Sequence, residues 1–244
     1  MSEDLHILFE DNHVIAVAKP AALLTQGPPA LPSLEALVKA YLKTKYQKPG
    51  NVYLGVPHRL DRPVSGIVLF ARNSKSAERL AEQFRERKVT KTYWGALEGT
   101  LQPGEGAWED WLRKIDNEAR AEQAAPNAAG AKLAILRYRV LKSGAGVTLT
   151  EFTPQTGRMH QIRVQAALRG HPLLGDALYG STRPFGPATE LPRDRAIALH
   201  ARSLTFLHPL RYEPITLTAP LPEIWSELGL EIASAQFADE PRTT

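Results

Sequence analysis

HRLDRPVSGIVLFARNSKSAERLAEQFRERKVTKTYWGALEG, residues 58–99, passes through a loop, a strand, a helix and a second strand. GIVLFAR, residues 66–72, is a short apolar run of strand length and reads as a buried strand. Ser74 opens a helix in which Ala77, Leu80, Ala81 and Phe84 recur at i, i+3, i+4 and i+7, a narrow apolar stripe on an otherwise charged cylinder. Lys91 to Glu98 is strand-like, so its neighbours Tyr93 and Trp94 point to opposite faces of a sheet.

Toward the N-terminus, Leu5 to Lys19 reads as a hairpin turning at Glu10-Asp11-Asn12. A proline-rich loop from Pro20 to Pro32 follows, and Ser33 stands as the N-cap of a helix reaching about Tyr46. Toward the C-terminus, strands are expected near 107–113, 134–141 and 147–152, with an exposed loop over 119–130. Gly157 marks a turn, 158–168 reads as a helix, and late strands near 197–206 and 215–218 lead to PLPEIW. Strands outnumber helices, and several are joined by loops too short for parallel crossovers. The fold class is therefore α+β with a mixed, largely antiparallel central sheet flanked by helices. No repeat or composition shift divides the chain, so one domain is expected over 1–228, followed by a polar tail at 229–244.

The 244 residues are 43% hydrophobic, enough for a sizeable core, and contain no Cys. The missing Cys excludes disulfide frameworks, zinc ribbons, thiol nucleophiles and the cysteine-liganded zinc of nucleobase deaminases. No apolar run approaches a membrane span and the N-terminus lacks a signal-peptide pattern, so a soluble cytoplasmic protein is expected. The formal net charge is only +4, yet residues 58–95 hold nine cations against four acids, and 155–171 adds Arg158, Arg163 and Arg169 with no acid. If these windows meet in space they make a basic face able to neutralise phosphates; solvated helix faces would give the same count.

Asp61 lies between Arg59 and Arg62, cations that favour its ionised form, with Ser65-Gly66 just beyond to allow close approach of backbone or ligand. An ordinary Arg-Asp turn would share this spelling. Tyr93 has the apolar body and polar tip that suit stacking on a base, as well as plain packing. Arg158, His160, Gln161 and Arg163 cluster at a turn into a helix, where free backbone N–H groups favour anions. The seven His are scattered with no HExxH, and neither GxGxxG, GxxxxGK[ST] nor GxSxG occurs, so no metal, nucleotide or serine-hydrolase site is expected.

Taken in order, these segments resemble the RluA family of RNA pseudouridine synthases. HRLDRPVSG (58–66) is similar to its HRLDxxTSG loop, KTYWGALEG (91–99) to its K-x-Y strand, and TPQTGRMHQIRV (153–164) to its TGRTHQIRVH segment. GHPLLGDALYG (170–180), LHARSLTFLHP (199–209), TAPLPEIW (218–225) and the opening VIAVAKPAALL (14–24) match further family elements. The departures are Val64 for Thr, Met159 for Thr, Gln165 for His, and Ala21 for the usual Gly after Lys19-Pro20.

The resemblance implies a pseudouridine synthase fold with a catalytic cleft across the middle of the sheet, in the short form without an N-terminal S4 domain. It implies an isomerase that breaks the C1′–N1 bond of a uridine in transfer RNA, ribosomal RNA or both, turns the uracil, and joins C5 to C1′. That reaction requires no cofactor or metal, and no obligate protein partner is implied. Asp61 matches the catalytic aspartate, Arg163 its basic partner, and Tyr93 the tyrosine that stacks on uracil. Arg59 is a candidate wedge into the stack vacated by a flipped base. Arg62, Lys75, Arg79, Arg85, Arg87, Lys88, Arg158, His160 and Arg169 are the other candidate RNA contacts. The alternative is a non-catalytic RNA-binding protein that retains the fold, against which the intact Asp61, Tyr93 and Arg163 argue. A hydrolytic glycosidase is a further rival, but such enzymes ordinarily use two carboxylates and the motif offers one.

Overall fold

The near-continuous apolar run Val14–Lys19 buries both of its faces inside a sheet, as the second strand of the expected hairpin, β1 (His6–Glu10) and β2 (Val14–Lys19). In the computed structural model, which describes residues 5–230, β2 pairs antiparallel with β3 (Ser65–Ala71), the fully buried GIVLFA run. Ile15, Val17, Val68 and Phe70 face helix α1 (Leu34–Lys45), whose Leu34, Val38 and Leu42 are buried. Val14, Ala16, Ile67 and Leu69 face the other way, onto Leu80 of α2 (Ser74–Arg85). Ser33 caps α1 as expected, its side chain accepting from Ala36 N–H. For α2 the cap is Asn73, whose side chain accepts from Ser76 N–H at 2.9 Å, and Ser74 is the first helical residue.

The remaining strands are β4 (Thr90–Glu98), β5 (Glu105–Lys114), β6 (Ala121–Gln123), β7 (Lys132–Gly144), β8 (Val147–Pro154), β9 (Leu199–Leu207) and β10 (Pro214–Thr218). They form one ten-stranded sheet ordered β1-β2-β3-β9-β4-β8-β7-β5-β6, with β10 on β9. The pairings are antiparallel except β3 with β9, so the sheet is mixed and largely antiparallel.

Two expectations need correction. The 119–130 stretch contains β6, a three-residue edge strand held by pairing of Lys114, Arg113 and Leu112 rather than by its own polar sequence. The helix expected over 158–168 is α3 (Gln161–Leu168), because His160 takes a left-handed conformation (φ 52°) that ends the preceding turn. PLPEIW leads into a 3-10 turn, Glu223–Leu228, that buries Trp225 against Phe185 and His200. Residues 231–244, most of the expected polar tail, lie outside the described residues.

Candidate active site

The parallel seam between β3 and β9 delivers Asp61 to the middle of the sheet. Gly66 pairs with Ala201, Ala201 pairs with Tyr93, and Tyr93 pairs with Phe152, so four strands are in register there. Gly66 has φ +118°, and a Cβ on it would lie 2.3 Å from the Ala201 carbonyl oxygen and 2.5 Å from its nitrogen. What approaches Gly66 closely is thus the β9 backbone, and the same seam is fastened by the Ser65 hydroxyl against His200 Nδ1 at 2.8 Å. The loop that enters β3, with Asp61 five residues before Gly66, is fixed beside Tyr93 by this packing.

Lys19, at the end of β2, ties the loop from below. Its buried ammonium donates to the carbonyls of Pro20, Leu23 and Arg62 at 2.9, 2.7 and 3.2 Å, using all three of its N–H bonds. Burial pulls this ammonium down to about 7, against the opposing pull of Asp61. Arg62 donates to the Ala22 carbonyl at 3.0 Å and pairs with Asp194, so the residue after Asp61 is anchored to two other loops.

Asp61 Oδ2 faces two nitrogens, His160 Nε2 and Arg163 Nη1, each at 3.5 Å, and its side chain remains 32% exposed to the cleft. Arg163 is itself buried and gripped by Asp176, with Nε and Nη2 each donating at 2.7 Å. His160 Nδ1 meets the Tyr179 hydroxyl at 2.8 Å, and the Arg163 guanidinium lies over the Tyr179 ring at 5.0 Å. Burial lowers the His160 pKa, with Asp61 pulling the other way, which favours a neutral imidazole at pH 7. Tyr93 is pushed upward by burial and by the nearby Asp61, so its phenol stays protonated.

Asp61, Tyr93, His160 and Arg163 line a cleft of about 1100 Å³. The cleft brings together Asp61, Tyr93 and Arg163 with Arg59, Arg85, Arg87, Arg158 and His160. Arg62, Lys75, Arg79, Lys88 and Arg169 are not among its lining residues. Arg79 donates to the Pro209 carbonyl at 2.6 Å and lies over Tyr212, while Arg169 pairs with Asp110 at 2.6 Å and lies over Trp108. Lys75 and Lys88 project from the exposed side of α2 and the turn beyond it, Lys88 pairing with Glu86. Sequence reasoning gave no role to Asp176, Tyr179 or Lys19. The signal for Asp176 was present in GDALYG, where an acid among glycines follows the arginine by 13 positions.

Residues 13–168 match the family described as RNA pseudouridylate synthase. The chain is 36% identical over 225 residues to an uncharacterized RNA pseudouridine synthase of Zymomonas mobilis, covering 91% of this chain and 96% of that protein. It is 35% identical to ribosomal large subunit pseudouridine synthase D of Xanthomonas campestris (98% and 73% covered) and 32% identical to tRNA pseudouridine synthase C of Haemophilus influenzae (92% and 96% covered). Among solved structures, human RNA pseudouridylate synthase domain containing 4 superposes with a TM-score of 0.74 over 91% of this chain and 90% of that one at 24% identity. Human RNA pseudouridylate synthase domain containing 1 superposes at 0.70, covering 91% and 85%, at 26% identity.

Proposed function

The chain belongs to the RNA pseudouridylate synthase family, in its RluA branch, and from that premise we propose that its cleft isomerises a uridine of ribosomal or transfer RNA with Asp61 as the reacting carboxylate. The observation that carries this reading is the placement of Asp61 Oδ2 at 3.5 Å from both His160 Nε2 and Arg163 Nη1, open to a cleft that Tyr93 also lines. The C1′–N1 glycosidic bond breaks, the uracil turns, C5 bonds to C1′, the C5 proton is lost to solvent, and N1 takes up a proton in its place. A carboxylate serves as nucleophile at C1′ or as base at the 2′ position. Tyr93, a neutral phenol at the base of the cleft, stacks on the turning ring, and Arg163 positions Asp61 while held by Asp176.

The uridine enters by extrusion from its stack, at a cost of a few kcal/mol. Arg59, exposed at the cleft beside Asp61, fills the vacated place, and Arg87 and Arg158 meet phosphates. Such RNA substrates place the protein in the cytoplasm; among the described residues no helix is long and apolar enough to cross a membrane. Incubation with RNA tritiated at uridine C5 tests the reading. Tritium released without free uracil, and lost in Asp61→Ala, is the expected result; free uracil, or no release from any natural RNA, overturns it.

A further inference from the structure

Lys91 and Tyr93 are two residues apart on β4, so both side chains leave the same face, roughly 7 Å apart, and both line the cleft. Lys91 and the buried Lys19 differ in their partners. Lys19 has three carbonyl acceptors, whereas among the described residues the Lys91 ammonium has no hydrogen-bond acceptor and no carboxylate. Burial alone pulls the Lys91 ammonium below the ordinary lysine value. Its neighbour His58 offers it nothing: His58 Nε2 accepts Leu69 N–H at 2.9 Å, and the ring stacks on Phe84 at 4.6 Å.

Two more cations stand at the same lip. Arg158 is held by donation from Nε to the Leu133 carbonyl at 2.8 Å, which leaves the tip of its guanidinium available, and Arg87 is close enough to depress its pKa further. Among the described residues Arg87 has no carboxylate partner; the nearby Glu82 and Glu86 pair with Arg85 and Lys88. Gly157 keeps the space beside Lys91 open; the first carbon of any side chain there would lie 3.7 Å from Nζ. Asp61 and Glu109 also line the cleft, but among the described residues neither forms an ion pair with these three cations. Unpaired converging cations, one of them partly desolvated, cost folding free energy, and an anion offsets that cost.

We propose that Lys91, Arg87 and Arg158 form a phosphodiester seat at the lip of the cleft, holding a backbone phosphate next to the nucleotide whose base stacks on Tyr93. This rests on the reading of the cleft as an RNA active site. The spacing of Lys91 from Tyr93 along β4 suits the reach from a base to its own or an adjoining phosphate.

The test uses the full chain, unfractionated transfer RNA as probe, and the variants Lys91→Met and Lys91→Arg. Lys91→Met is expected to weaken RNA binding roughly tenfold at low salt and to reduce the slope of log affinity against log salt by about 1, with Lys91→Arg retaining the slope. Without RNA, in low-salt buffer, Lys91→Met is expected to melt above the wild type, because it removes a partly desolvated cation that lacks a partner. A structural lysine would lower the melting point instead. An unchanged salt slope, or a lowered melting temperature in Lys91→Met, overturns the proposal. Tritium release by the wild type is scored separately, so failure of the seat and failure of the synthase reading are told apart.

Discussion

Arg163 meets Asp61 through Nη1 alone, at 3.5 Å, because Asp176 holds its Nε and Nη2 at 2.7 Å each. The arginine proposed to position Asp61 is therefore itself set by a second, buried acid from a different loop. Asp176→Asn breaks this bidentate pair while keeping its shape. We expect a loss of about 3 kcal/mol in urea unfolding, since a buried guanidinium is left short of its partner, and a fall in tritium release of more than about tenfold. Wild-type stability in this variant would remove Asp176 from the account.

Gly66→Ala tests the seam. The added Cβ would sit within 2.7 Å of three Ala201 backbone atoms at a φ of +118° that alanine rarely adopts. We expect destabilisation of more than about 2 kcal/mol, or an insoluble chain, whereas Gly104→Ala, where nothing lies within 4 Å, serves as the matched control.

Acid stability is governed in part by two neutral histidines. Burial drives both His58 and His200 down to about 3, and each engages a neighbour through a ring nitrogen: His58 Nε2 accepts Leu69 N–H, and His200 Nδ1 meets the Ser65 hydroxyl. Unfolded histidine titrates near 6.5. Between pH 6.5 and about 3 the unfolded chain binds protons that the native chain refuses, so their contribution is full above pH 6.5 and is lost as pH falls. Each adds a slope of about 1.4 kcal/mol per pH unit in that window. Urea titrations from pH 7 to 4 on wild type and His200→Gln should differ by about one such slope; identical slopes would refute the assignment.

The cleft divides the candidate RNA contacts into those that line it, such as Arg87, and those that lie outside it, such as Lys75. Arg87→Glu should weaken binding of unfractionated transfer RNA several-fold more than Lys75→Glu, because only Arg87 lines the cleft. Equal effects in filter-binding titrations would mean that the outer face of α2 also carries RNA.

Much of this was legible in residues 58–99, where apolar period and caps specify strand, helix and strand, and where Asp61 and Tyr93 are spelled in adjacent motifs. Local pattern did not reveal the partners of the arginines. Arg62, Arg79 and Arg169 are bound to Asp194, Pro209 and Asp110, between 59 and 132 positions away, so counting charge along the chain overstated the cations available to RNA. β6 escaped notice for a related reason: its pairing comes from β5, and nothing in its own three residues favours a strand. The opposite environments of Lys19 and Lys91 were equally hidden, since burial and acceptors are properties of the assembled sheet.

Single-turnover tritium release from uridine-labelled RNA, compared between wild type and Asp61→Asn, tests the central claim most directly. The account predicts a loss of more than about a thousandfold in Asp61→Asn, with RNA affinity and melting temperature close to wild type. Release by Asp61→Asn at the wild-type rate would contradict it.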